Sequence, residues 1–444
     1  MKKFVLATLL FALFLTAPAI AADGTTSLKD SVVAAVKQHP QIKSLLHNKD
    51  AVSKAQLSAL GRFFPSLDLR AEAGWQEYSN QANRANHVDL HTRTPTDVQL
   101  TLTQPIFDGF DRYNDYKRET ARLTSAEGRL IDNVETVALD AIRAHVDVIR
   151  IRKLVELANE NIIAHQELLD SITARVEGGA GNRADEMQAK GRVARAETTL
   201  VTYVGELHTA EAEYARTVGM SAATLADPGF ASDLVPINSD AVLNGTLETN
   251  PKIAVYKAEI DVAERTKKQL ESYYYPQIDV YVSSRHTDDL DGTDSWIQDN
   301  KAMVAANWNL FNGLSDYNDV RTAAARINQA QSDLENTTDD LIRQVAAAWA
   351  EYESALGQIT KYQEALQYSL ESLDMYLMQF NVGQRSLLDV LDATNEVFTN
   401  KVQLETATSN RNFTIYKFLA LEGRLTNTLE VASNTYDTLP EDAQ

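Results

Sequence analysis

Phe107-Asp108-Gly109, with Tyr113-Asn114-Asp115 close behind it, recurs as Phe311-Asn312-Gly313 with Tyr317-Asn318-Asp319. The spacing is the same in both places, an offset of 204 residues. It persists through Gly179 and Gly383, Asp185 and Asp389, and Ala189 and Ala393. Upstream the match continues at a second offset, 211 residues. His39-Pro40-Gln41-Ile42 answers to Asn250-Pro251-Lys252-Ile253, and Phe63-Phe64-Pro65 to Tyr274-Tyr275-Pro276. A repeat this long is a duplicated domain, not a solenoid unit. The offset changes once, between Pro65 and Phe107, which places a loop of unequal length there.

Reading outward from this motif gives the same elements in each half. A short helix leads to a longer amphipathic one, Gln41 to Arg62 and Lys252 to Ser272, each closed by a proline. Alternating apolar positions follow: Leu67, Leu69, Ala71, Ala73 and Trp75, then Val98, Leu100 and Leu102. The second half gives Ile278, Val280 and Val282, then Val304, Ala306, Trp308 and Leu310. Period two predicts strands with one apolar and one polar face. Their length suits a tilted crossing of a bilayer, and Trp75, Tyr78, Trp296 and Trp308 near their ends suit an aromatic girdle. The competing reading is two soluble hairpins packed on a core; for a membrane barrel, four strands leave open edges that lipid does not tolerate, and sharing one barrel among several protomers solves this.

Beyond each motif no proline interrupts residues 112–177 or 316–381. At 1.5 Å per residue, each stretch makes a rod of roughly 100 Å. Apolar residues step by four and three from Val137 to Val176 and from Leu341 to Phe380, a coiled-coil seam. His165 and Ser369 are its polar breaks and stand at the same repeat position. We read His165 as a register feature and not as a metal ligand. The turns at Gly178-Gly179-Ala180-Gly181-Asn182 and Gly383-Gln384-Arg385 supply left-handed caps. Return helices run from Arg183 to Val218 and from Ser386 to Leu421. The glycine-rich turn follows a helix, not a strand, so it is no dinucleotide motif.

Composition narrows the function. The 62 acidic and 42 basic residues give a formal charge of −20, which disfavours nucleic acid as a partner. Only 18 Gly and 10 Pro in 444 residues favour long uninterrupted elements. Lys2 and Lys3, the apolar run Phe4 to Leu15, and Ala19-Ile20-Ala21 read as a secretory signal over residues 1–21. Cysteine is absent, so disulfides and a lipidated N-terminal cysteine play no part. The expected organisation is a signal at 1–21 and a first repeat at 22–238, with strands about 66–106 and a helical hairpin about 112–218. A second repeat follows at 239–424, with strands about 277–310 and a hairpin about 316–421. Residues 425–444 read as a polar C-terminal tail.

The duplicated hairpins, the Phe107-Asp108-Gly109 and Phe311-Asn312-Gly313 strand exits, and the run from Val382 through Gly383, Arg385, Leu388 and Asp389 to Ala393 resemble the TolC family of outer-membrane factors. The likeness spans nearly the whole mature chain. It implies a mainly helical fold with a membrane β-barrel portion. Three protomers would each give four strands to a twelve-stranded barrel and long antiparallel helices to a periplasmic tunnel. It further implies a passive exit duct without cofactors. The partners would be a periplasmic adaptor, an inner-membrane ABC or other transporter, and outer-membrane lipid. Type I protein secretion is the preferred setting, with drug or metal efflux as the alternative.

By motif match, Asp389 and Asp392 correspond to acids ringing the periplasmic aperture, and i, i+3 spacing puts both on one helix face. Arg385 corresponds to the basic gate residue and Asp185 to its acidic partner. Phe380 stands where the family's best-known member has a tyrosine that hydrogen-bonds across the gate, so that link is missing here. Gly178, Gly179, Gly181 and Gly383 are the hairpin turns. The competing readings are an exported enzyme and a soluble coiled-coil scaffold. No H-E-x-x-H, G-x-S-x-G or phosphate-loop motif supports an enzyme. His87, Asp89 and His91 fall in the expected exposed loop and read as solvated. A scaffold leaves the strands and the signal unused.

Overall fold

The computed structural model describes residues 25–435 except 80, 86–90 and 293–294. The expected signal at 1–21 lies outside the described residues, as do His87 and Asp89. Each half begins with two helices: α1 (Leu28–Gln38) and α2 (Pro40–Gly61) in the first, and α6 (Ser239–Thr249) and α7 (Pro251–Leu270) in the second. Pro40 and Pro251 occupy the first helical position, where a missing N–H costs nothing. Asn250 caps α7 through its side chain, and His39 makes no such bond at α2.

The strands are β1 (Ser66–Ala73), β4 (Thr96–Phe107), β5 (Gln277–Asp288) and β6 (Ile297–Asn307). They form one antiparallel sheet in the order β1-β4-β5-β6. The last strand is shorter than its alternation suggested: Trp308 and Leu310 lie beyond its end at Asn307. The loop between β1 and β4 holds a ribbon of β2 (Gln76–Tyr78) and β3 (His91–Arg93) and a short helix, α3 (Gln81–Ala85), none of which the alternation signalled. The extra length of the first half goes into these.

Burial in the sheet is inverted relative to a water-soluble protein. Leu67 is 65% exposed and Val304 is 68% exposed, whereas Ser283 and Thr287 are buried. The face shared by Asp68, Arg70, Asp97, Arg285, Asp299 and Lys301 is the more covered one. There Arg285 holds Asp97 through paired bonds of 2.9 and 2.6 Å.

The strand exits explain the repeated motif. Gly109 and Phe110 have φ of +67° and 70°, and Gly313 and Leu314 have φ of +57° and 65°. Two successive left-handed residues swing the chain from strand into helix. A Cβ on Gly109 would sit 2.7 Å from the Ser272 carbonyl oxygen, so only glycine fits. Asn114 Nδ2 then donates to Phe110 O at 3.0 Å, and Asn318 Nδ2 to Leu314 O at 3.0 Å. The shared Tyr-Asn-Asp thus keeps its asparagine to bind the carbonyl of the strained residue.

The long helices are α4 (Asp111–Glu177) and α8 (Ser315–Asn381), returning as α5 (Arg183–Val218) and α9 (Leu387–Leu421). The seam is buried as its spacing requires, for example at Ala141, Val148, Ile151, Leu169 and Ile172 on α4 and at Leu341, Val345, Ala348 and Ala355 on α8. Near the sheet, α2, α4, α7 and α8 lie side by side; farther away α4 packs on α5 and α9, and α9 on α8.

Where the short helices pack on the long ones, two polar groups are locked into the core. His145 Nε2 donates to Ala226 O at 2.9 Å, because a carbonyl only accepts. Its Nδ1 therefore accepts from Ser31 Oγ at 2.9 Å, and Ser31 accepts from Tyr214 at 2.7 Å. Burial pushes the His145 pKa down and keeps the ring neutral. Glu135 accepts from the Leu425 and Thr426 backbone N–H groups at 2.9 and 3.1 Å, and from Thr426 Oγ1. Residues from 425 onward therefore do not begin a solvated tail. The helix α10 (Leu425–Thr428) is docked on α4, with Leu425 and Val431 in the core. Of the stretch from 425 onward, residues 436–444 lie outside the described part.

Candidate functional site at the hairpin tips

The two helix turns share one geometry. Ala180 N donates to Arg175 O and Gly179 N to Val176 O; Gln384 N donates to Gln379 O and Gly383 N to Phe380 O. This is the paired bond pattern of a Schellman cap. Gly179 and Gly383 carry the left-handed φ, +75° and +79°. Gly178, expected to share that role, does not: its φ is −75°. Gly181 is required for space, since a Cβ there would lie 2.8 Å from Val176. Asn182 and Ser386 then cap the return helices, accepting from Ala184 N and Asp389 N.

Asp389 sits in the first turn of α9, where the helix dipole favours a negative charge. Its Oδ2 lies 3.1 Å from Arg385 Nε. The contact is not aligned as a hydrogen bond, and Arg385 Nε is buried without one. The Arg385 guanidinium instead lies over the Tyr376 ring, 3.8 Å from its centroid. Within the protomer Arg385 therefore meets Asp389 and Tyr376, not Asp185. Asp185 is half-buried in the first turn of α5. A contact between Asp185 and Arg385 needs two protomers or a different tip conformation.

Asp392 is not free either. Arg192 Nη2, on α5, donates to its Oδ1 at 2.5 Å. Phe380 lies under Arg175 of α4, whose guanidinium is 4.5 Å from the ring centroid. The same arginine donates to Phe380 O at 3.3 Å and to Asn381 Oδ1 at 3.0 Å. It caps the C-terminus of α8, where carbonyls lack helical partners. Lys401 of α9 reaches Glu160 of α4 at 2.8 Å. Beneath these polar ties Leu169, Ile172, Ala189, Val193, Leu387 and Leu391 form a small apolar core.

Arg175 and Arg192 were not singled out from sequence, and Tyr376 was read only as a position of the coiled-coil seam. Each is an ordinary residue on a helix face, and its role depends on which helix lies opposite. One signal was available: Arg175 lies one turn before Gly179, where a cation suits a helix C-terminus. His165 is buried on α4 with Nδ1 unbonded. Burial, and then the charge of Arg192, push its pKa down.

No helix among the described residues is long and apolar enough to cross a membrane. The family model described as outer membrane efflux protein matches residues 32–220 and 242–414. The chain is 25% identical over 335 residues to outer membrane efflux protein BepC of Brucella suis, covering 75% of this chain and 73% of that one. It is 22% identical over 388 residues to outer membrane protein TolC of Escherichia coli, covering 84% and 77%. Among solved structures, CusC superposes with a TM-score of 0.80 at 15% identity, over 89% of this chain and 92% of that one. VceC of Vibrio cholerae superposes at 0.76 and 17% identity, over 90% and 95%. These proteins are channels, not enzymes. A duplicated helical hairpin, a sheet with its apolar face outward, and a matching family model over most of its length place this chain in the outer membrane efflux protein family, in the outer membrane with its helices in the periplasm.

Proposed function

We propose that the chain assembles as a homotrimer and acts as a passive exit duct for cargo handed over by a periplasmic adaptor and an inner-membrane transporter. The observation that carries this is the inverted sheet. Leu67, Leu100, Val282 and Val304 point outward while Asp97 and Arg285 pair on the covered face. Such a sheet suits lipid outside and water inside. Its outer strands, β1 and β6, each keep one unpaired edge. Closure by three copies removes those edges at twelve strands. Energy for transport comes from the partners, since the tips carry ion pairs and caps and no catalytic constellation.

The finer reading is type I protein secretion. Its support is the chain without cysteine, which offers no attachment for the lipid borne by drug-efflux members. Drug or metal efflux is the second reading, favoured by the likeness to the Brucella outer membrane efflux protein BepC. Deleting the gene tests both at once. Loss of a large protein from the culture medium with unchanged drug tolerance supports secretion. The reverse pattern supports efflux. Neither change, together with a detergent-free soluble monomer, removes the duct reading altogether.

A further inference from the structure

Tyr113 and Tyr317, the repeated tyrosines of the strand exits, each carry a cation one helical turn farther on. Lys117 Nζ lies 5.8 Å from the Tyr113 ring centroid, and the Arg321 guanidinium carbon lies 5.6 Å from that of Tyr317. Positions i and i+4 share a helix face. The two pairs stand at the same repeat position, 204 residues apart. Neither cation is paired with a carboxylate among the described residues. The acids beside them are turned away or occupied. Asp115 and Asp319, two residues past each tyrosine, lie on the opposite side of the helix. Asp115 is held by Arg62 and Arg118, and Asp316 accepts from Asn312 at 3.1 Å. In a chain of net charge −20, two equivalent cations are thus left for an anion from outside.

Beside Tyr113 lies a cavity of about 350 Å³, walled in part by Phe63, Phe107, Phe110 and Tyr113. Gln104, also in its wall, opposes Val280 across the sheet, and Phe107 opposes Ile278. Opposed residues project from one face, so both share the outward face of Leu102 and Val282. The cavity therefore lies on the side turned to lipid. Arg112 and Asp108 complete its wall, but they bond to each other at 2.5 Å and cancel.

The strand ends set the depth. Phe107 and Ile278 form the last outward row, and Trp308 stands one residue past β6, where an aromatic girdle marks the edge of the hydrocarbon. Tyr113 is two residues into α4, about 3 Å along its axis. Lys117 is one turn farther, but helix side chains tilt toward the N-terminus, here toward the bilayer. Its contact with the ring keeps the ammonium near the tyrosine. The charge then falls in the headgroup layer, roughly 5–7 Å thick on each side of the hydrocarbon.

We propose that Lys117 with Tyr113, and Arg321 with Tyr317, bind the phosphate of an anionic phospholipid in the periplasm-facing leaflet, and that the aromatic cavity beside Tyr113 takes the start of its acyl chains. This rests on the barrel reading above, which turns the apolar face to lipid. An ethanolamine headgroup brings another ammonium to a place where Asp108 and Asp115 are already paired, so a glycerol headgroup is preferred.

Native mass spectrometry of the full chain in mild detergent tests this, with phosphatidylglycerol, phosphatidylethanolamine and inorganic phosphate titrated separately. The wild-type trimer should retain up to six phosphatidylglycerols, two per protomer, in preference to phosphatidylethanolamine. Lys117→Gln with Arg321→Gln should weaken that retention about fivefold, the effect of one cation beside an anionic leaflet. Each single variant should affect half of the bound lipid, and Lys117→Arg with Arg321→Lys should retain all of it. Lys361→Gln, exposed and far along α8, should change nothing. Equal retention by the trimeric double glutamine variant, equal binding of phosphatidylethanolamine, or displacement of the lipid by millimolar phosphate overturns this site alone. A wild-type spectrum without a trimer overturns the barrel reading and this site together.

Discussion

Arg192 on α5 reaches Asp392 on α9, Nη2 to Oδ1 at 2.5 Å, and so ties the first-repeat hairpin to the second inside one protomer. The Asp392 side chain is 57% exposed, so the pair contributes about 0.5–1 kcal/mol. Its effect on charge is larger than its effect on stability. While Arg192 holds it, Asp392 is a neutralised carboxylate. Arg192→Ala should release that charge and deepen block of the channel by trivalent cations in a planar bilayer. Asp392→Ala should relieve block, and Asp389→Ala should add to the relief. Identical block in all three variants would falsify an aperture role for these acids.

Arg175 caps α8 from α4 and lies on Phe380. Its loss leaves the Phe380 carbonyl without that donor and removes a cation–π contact, a cost of about 1–2 kcal/mol. Arg175→Ala should loosen the tip, raising single-channel conductance and speeding proteolytic nicking near residues 178–182. Arg175→Lys keeps the charge but loses the forked geometry, so it should fall between wild type and alanine.

The two strand exits make a paired test. Gly109→Ala meets the Ser272 carbonyl as well as an unfavourable φ; Gly313→Ala meets open space and only the φ. The second should cost about 1–2 kcal/mol and leave the proposed trimer intact. The first should abolish that trimer on a gel without heating. Equal behaviour of the two variants would show that the close approach at Gly109 does not matter.

His145 is neutral in the core, its pKa held below the usual 6.5 by burial. A depressed folded-state pKa gives stability that is present above pH 6.5 and lost as pH falls toward the lowered value. Asp132, Glu135 and Asp140, whose carboxyls burial pushes up, act in the opposite sense. The histidine is therefore read by difference. His145→Gln should lower the melting temperature at pH 7.5 yet flatten its decline toward pH 5. A parallel decline in both proteins would assign the acid sensitivity elsewhere, with His165 next in line.

Much of the architecture was legible because it is written in periods. The seam from Val137 to Val176 and the alternation from Leu67 to Ala73 each depend on one element's own residues. The duplication supplied the rest, since an offset of 204 residues matched turn to turn. The site was legible only in part. A motif match singles out Asp389 and Asp392 as candidates, but it does not give their partners. Arg192 stands 200 positions from Asp392, and no local pattern selects it. Phe380 was noticed for its missing hydroxyl, whereas its neighbour Arg175 decides what the aromatic ring does. The docking of Leu425 and Val431 was missed for the same reason: a short polar stretch hides a core contact that Glu135, far upstream, completes.

The open edges of β1 and β6 also govern how the molecule is made. A lone chain bears a sheet whose outward face water rejects and whose margins invite pairing with any passing strand. If three copies close the barrel as proposed, it cannot reach its final state at infinite dilution. Closure, subunit recognition and bilayer entry would then coincide, so the yield of finished channel should depend on local protomer concentration. The helices have no such restriction, because their seams close within one chain. Biogenesis should therefore run from the periplasmic end toward the membrane, with the sheet sealed last. Escape from escort in the periplasm would be punished by aggregation through these margins.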